Sequence, residues 1–123
     1  MASVLVIDDD AAARRLFAQV LSREGHVIRT SADGQLGLEQ FKQARPDVVV
    51  TDLIMPNREG IETIRAMRAF DPSVPIIAMS GNTGAKLMNF LKLAKVSGAT
   101  LTLEKPFRPS ELVAAVSKVL GRQ

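Results

Sequence analysis

A doubly wound α/β sheet of five parallel strands is the fold class this chain predicts, on three observations. Short apolar runs alternate with segments of helical spacing along the whole chain, as repeated βα units do. The apolar runs are bounded by polar breaks and show little inside-outside alternation, as expected of strands buried on both faces. Five repeats fit into 123 residues, of which 46% are hydrophobic and 24% charged, enough for one core and little more. Right-handed crossovers with helices on both faces give such a sheet the order 2-1-3-4-5, with a ligand crevice beyond the carboxyl ends of strands one and three.

The first strand is expected at Val4–Asp8, and its apolar run closes on three aspartates, Asp8, Asp9 and Asp10. Ala13, Leu16, Phe17, Val20 and Leu21 then form an apolar face at helical spacing, with Gly25 as the stop. A second strand at His26–Thr30 precedes a helix marked by Leu38 and Phe41. The third strand, Val48–Thr51, abuts Asp52, and Ile61, Ile64 and Met67 mark the helix after it. The fourth strand, Ile76–Met79, ends in Ser80, with Gly81 and Gly84 loosening the segment that follows. In the fourth helix Leu87, Phe90, Leu91 and Ala94 are expected to face the sheet. Met88, Leu93 and Val96 are left beside a polar stripe of Lys86, Asn89, Lys92 and Lys95, as a candidate partner surface. The fifth strand, Thr100–Leu103, runs into Glu104, Lys105, Pro106 and Phe107. Pro109 and Ser110 suit the start of the last helix, where a missing N–H costs little, and Leu112, Val113, Val116, Val119 and Leu120 give its apolar face. A single domain over residues 1–123, without an output domain, is expected.

Composition narrows the function. With no cysteine there is no disulfide framework, thiolate metal site or cysteine nucleophile. The net charge of +3 comes from scattered lysines and arginines, and there is no Trp or Tyr to stack on bases, so direct nucleic-acid binding is not expected. No stretch approaches the roughly 20 apolar residues of a membrane span and the N-terminus has no basic leader, so a cytoplasmic location is expected. No Gly-x-Gly-x-x-Gly follows the first strand, which argues against a dinucleotide site.

The chemistry gathers at strand ends. Close carboxylates raise one another's pKa unless something neutralises them, and a hard divalent cation does so. Asp8, Asp9 and Asp52 suit Mg²⁺ better than zinc, for which the one histidine, His26, offers poor ligation. Asp10 fits an N-cap of the next helix. At the ends of strands four and five, the Ser80 hydroxyl can donate to a phosphoryl oxygen and the Lys105 ammonium can offset charge on a group in transfer.

With these residues in place, the chain resembles the receiver domain of bacterial two-component response regulators over essentially its full length. Asp8 and Asp9 match the acidic pair, and the segment from Thr51 to Gly60 matches that around the phosphoacceptor. Ser80 matches the hydroxyl position, and Lys105, Pro106 and Phe107 the lysine segment. The resemblance implies a flavodoxin-like fold in which Asp52 takes a phosphoryl group from a phosphohistidine on a sensor histidine kinase or a histidine phosphotransfer protein. It implies Mg²⁺ or Mn²⁺ bound by Asp9, by Asp8 directly or through water, by Asp52 and by the Ile54 backbone carbonyl. Ser80 and Lys105 would contact the phosphoryl oxygens, with a cis bond between Lys105 and Pro106.

The resemblance also implies a module that catalyses only its own phosphorylation and slow dephosphorylation, as a monomer or a weak phosphorylation-linked dimer. It would signal to a downstream target protein through the face formed by the fourth helix, the fifth strand and the last helix. The family's usual switch aromatic is Thr102 here, and Ile54 and Asn82 stand where the family tunes phosphoryl lifetime. One alternative is a receiver cut from a longer regulator or hybrid kinase. Another reads Asp8 to Asp10 as the Asp-x-Asp of a haloacid-dehalogenase-like phosphatase, with Asp8 as nucleophile and Asp10 as acid/base. That reading lacks room for a cap domain and leaves the segment from Asp52 to Gly60 unexplained.

Overall fold

The computed structural model describes residues 2–53, 59–81 and 92–121. In chain order these form β1 (Ser3–Ile7), α1 (Ala11–Arg23), β2 (Val27–Ser31), α2 (Gly34–Gln43), β3 (Val48–Asp52), α3 (Glu59–Phe70) and β4 (Ile76–Ser80). Residues 92–97 are helical and are labelled α4. They are followed by β5 (Leu101–Glu104) and α5 (Pro109–Val119). The expectations for Ile54, Asn82, Gly84, Lys86, Leu87, Met88, Asn89, Phe90 and Leu91 lie outside the described residues.

All five strands are parallel, in the order β2-β1-β3-β4-β5. Each begins and ends within one residue of its expected place. The differences matter at the carboxyl ends: Asp52 and Ser80 are the last residues of β3 and β4, whereas Asp8 lies one residue beyond β1. The Asp8 N–H still donates to the Ser31 carbonyl at 3.1 Å, so the ladder carries this carboxylate to the sheet's rim.

The period of two, with both faces covered, explains why β1 and β3 show no polar face in sequence. Leu5, Ile7 and Val49 point to one side, where Phe41, Ile64, Met67 and Ala94 meet them. Val4, Val6 and Val50 point to the other, against Phe17, Leu21, Leu112 and Val116. Burying one such side chain contributes roughly 1.5–3 kcal/mol, against helix-propensity differences of at most about 0.7 kcal/mol for ordinary residues. Packing of the apolar stripes therefore decides where the helices lie.

Local chemistry sets the ends. Asp10 caps α1 by accepting the Ala12 and Ala13 N–H groups at 2.9 and 3.4 Å, as its position predicts. Beyond the helix Gly25 takes φ +87°, the left-handed stop that favours glycine. Pro109 opens α5, and the Glu111 carboxylate accepts the Arg108 N–H at 3.1 Å.

Two expected faces need correction. Leu16 is 50% exposed, because α1 packs through Ala13, Phe17 and Leu21, and the residue before Phe17 is turned about 100° away around the helix. Leu93, expected at a partner surface, instead packs against the core, since the small, fully buried Ala94 beside it lets the helix approach closely. Val96, on the same helix, is 84% exposed as expected. Among the described residues no helix is long and apolar enough to cross a membrane.

Candidate functional site

The carboxyl ends of β1, β3, β4 and β5 converge because β1 and β3 are neighbours at the centre of the sheet and β4 and β5 follow in order. Asp8 and Asp52 are buried and Asp9 is exposed, and carboxylate oxygens of the three lie within 4.8 Å of one another. This is an all-oxygen donor set open to solvent on one side, the kind that suits Mg²⁺ with several retained waters. His26 is elsewhere: its Nδ1 accepts the Ala2 N–H at 3.3 Å beside the start of the sheet.

Lys105 reaches into the cluster from the end of β5. Its Nζ lies 3.0 Å from Asp8 Oδ2 and 3.5 Å from Asp52 Oδ2. Burial works against the charge on this ammonium, but the carboxylates of Asp52 and Asp8 outweigh it, and the net effect raises its pKa above the ordinary lysine value. The Lys105 N–H also donates to the Ser80 carbonyl at 2.7 Å, so the hydroxyl-bearing and ammonium-bearing residues are tied through their backbones. The peptide between Lys105 and Pro106 is cis, as the resemblance implies.

Ser80 is fully buried, and among the described residues its Oγ has no hydrogen-bond partner. Leaving a buried hydroxyl unpaired costs on the order of 1–3 kcal/mol. A group that brings acceptor oxygens to this end of β4 would recover that loss. The donor set and this orphan hydroxyl together fit a divalent cation and a phosphoryl group.

Asp8, Asp9, Asp52, Ser80 and Lys105 thus share one rim of the sheet. Thr102 lies further back on β5, paired with Ala78, and takes no part in the cluster. Three contributions to the site were not read from the sequence. The Arg14 guanidinium donates to the Asp8 carbonyl at 2.7 Å and braces the turn into α1. Gly60 lies so close to the strand end that a Cβ would run into the Asp52 carbonyl and come within 2.6 Å of Leu53 Cα. The Phe17 ring, expected only as core, has the Lys105 ammonium 5.7 Å from its centroid. Helical periodicity revealed the core role of Phe17 but not its second neighbour.

Residues 4–117 match the family model of the response regulator receiver domain. The DNA-binding response regulator MtrA of Mycobacterium tuberculosis is 38% identical over 119 residues, covering 97% of this chain but 50% of that protein. The chain thus spans about half the length of the MtrA relatives it matches. The chemotaxis protein CheY of Thermotoga maritima is 32% identical over 118 residues, covering 94% of this chain and 95% of that one. Among solved structures, a response regulator receiver domain protein from Clostridium thermocellum superposes with a TM-score of 0.89 at 28% identity, covering 98% of this chain and 95% of its own. Chemotaxis protein CheY4 of Vibrio cholerae superposes with a TM-score of 0.87 at 32% identity, covering 97% and 98%. The sheet order, the acidic rim and the family match over nearly the whole chain agree: this chain belongs to the response regulator receiver domain family of two-component signalling.

Proposed function

We propose that the chain is a phosphoacceptor module in which Asp52 takes a phosphoryl group from a phosphohistidine of a sensor histidine kinase or histidine phosphotransfer protein. The observation that carries this reading is the placing of Lys105 between Asp8 and Asp52 within a cluster of three carboxylates. A carboxylate oxygen of Asp52 attacks phosphorus, the phosphorus–nitrogen bond breaks, and its electron pair stays on the imidazole, which takes up a proton. An acyl phosphate on Asp52 results. A divalent cation at Asp8, Asp9 and Asp52, Mg²⁺ or Mn²⁺, would screen the approach of two anions and hold the phosphoryl oxygens in line. Lys105 would leave its carboxylate partners for a phosphoryl oxygen, and the unpaired Ser80 hydroxyl would donate to another.

The product is a changed surface rather than a released small molecule, and the face made by α4, β5 and α5 would present it to a downstream protein. The exposed Val96 of α4 supports this role. The chain matches 95% of Thermotoga maritima CheY and 50% of MtrA, so a module of this kind occurs both nearly alone and within a longer regulator. The phosphatase alternative is disfavoured because the Asp10 carboxylate is engaged in capping α1.

Intact-mass analysis after incubation with acetyl phosphate and Mg²⁺ tests the proposal. One added phosphoryl group is expected in the parent chain, none in Asp52→Asn, and none in the parent chain when the cation is chelated. An adduct that survives in Asp52→Asn would contradict it.

A further inference from the structure

Phe17 is 8% exposed and belongs to the core beneath α1, but one face of its environment is charged. The Lys105 ammonium lies 5.7 Å from the ring centroid. The ring is itself stacked on Phe107, with centroids 5.5 Å apart and planes at 23°. The stem of Lys105 runs past Gly81, where even a Cβ would stand 3.5 Å from Lys105 Cδ. Beside the stem opens a cavity of about 400 Å³ lined by Asp10, Ala13, Phe17, Gly81, Pro106 and Phe107.

Among the described residues, the ammonium has two carboxylates and one ring beside it. The carboxylates, Asp8 and Asp52, are groups that a divalent cation and the phosphoryl transfer would draw on. Once they are engaged, the ring is the neighbour that stays, and the adjoining cavity gives an untethered lysine room to swing away. An aromatic face attracts a cation through its quadrupole, whereas a leucine of similar bulk fills the same core position without doing so.

We propose that Phe17 is a positioning residue for phosphoryl acceptance: its ring, fixed by Phe107, keeps the Lys105 ammonium at the cleft while Asp8 and Asp52 are occupied. The role rests on the phosphoacceptor reading of Asp52. It acts wholly through Lys105, since Phe17 touches none of the reacting atoms.

Replacing Phe17 with mono-, di- and trifluorophenylalanine weakens the ring's attraction for a cation stepwise while nearly preserving its shape, and Phe17→Leu removes it. The rate of phosphorylation by acetyl phosphate with Mg²⁺, followed by intact mass, is measured for each in the parent and in a Lys105→Ala background. The expected result is a graded decline through the fluorinated series, reaching about three- to tenfold, that is absent in the Lys105→Ala background. A flat series in the parent background, or an equal decline without Lys105, would overturn the positioning role while leaving Asp52 as acceptor. A parent chain that takes up no phosphoryl group would overturn the phosphoacceptor reading itself, and this role with it.

Discussion

Lys105 is one positive charge set among three carboxylates, so the cleft keeps a negative excess that attracts a cation, while Asp8 and Asp52 hold the ammonium where a phosphoryl group would arrive. Its pKa is raised, burial opposing and the Asp52 and Asp8 carboxylates prevailing. Its ion pairing therefore contributes fully to stability below the ordinary lysine value of about 10.4 and is lost as pH rises through the raised one. Lysine titration therefore leaves phosphoryl acceptance unchanged between about pH 7 and 9. Lys105→Ala is expected to slow acceptance by about tenfold, less than the roughly 10²–10³ for a fully enclosed donor, because the side chain is 23% exposed. The same variant should lose most of the change in hydrogen-exchange protection that phosphorylation causes in β4 and β5. Equal loss of acceptance and response would contradict separate roles for acceptance and switching.

Among the elements, α3 is packed onto the strand end that carries Asp52. Gly60 leaves no room for a methyl group against the Asp52 and Leu53 backbone, so Gly60→Ala must move either the helix or the strand end. Overpacking of this kind costs about 1–3 kcal/mol. Denaturant unfolding should show that loss, and phosphorylation by acetyl phosphate should slow with it; a variant unchanged in both would show that the contact is slack.

The other end of α3 is held by a separate polar network. The Arg68 guanidinium donates to the Gly98 carbonyl at 3.2 and 2.7 Å and to the Asp71 carbonyl at 3.2 Å. Burial lowers the pKa of Arg68, and the Asp71 carboxylate opposes this in part. Asp71 accepts the Ser73 N–H at 2.9 Å, the Ser73 hydroxyl at 3.0 Å and the Arg45 guanidinium at 2.9 Å. The Ser73 backbone donor leads in lowering its pKa, with burial opposing. Its contribution to stability is thus present above the unfolded carboxylate value of about 3.9 and is lost as pH falls through the lowered one. Asp71→Asn should therefore melt below the parent chain at pH 7 and converge with it in acid, as thermal unfolding across pH will show; a constant gap would mean the carboxylate charge is not involved.

For the whole molecule, two cores on opposite faces of one sheet fix which strand ends meet. Much of this was legible in sequence, because Val4 to Ile7 gives way at once to Asp8, and Val48 to Val50 gives way through Thr51 to Asp52. Asp8, Asp9, Asp52, Ser80 and Lys105 stood out because each lies at or just beyond the carboxyl end of a short strand. What stayed hidden depends on side-chain meetings between distant elements. Periodicity placed Leu16 and Phe17 on one face, but only the packing angle of α1 exposes the first and brings the second beneath Lys105. The closeness of Gly60 to Asp52 and the reach of Arg14 to the Asp8 carbonyl likewise arise from tertiary approach.

The proposed function requires the acyl phosphate to form on Asp52. Borohydride reduction of the freshly phosphorylated chain converts an aspartyl phosphate to homoserine, and peptide mass spectrometry then locates it. Homoserine at position 52, absent without a phosphodonor, is the predicted result. Homoserine at position 8, or at neither position in a chain that carries the added phosphoryl mass, would contradict the account.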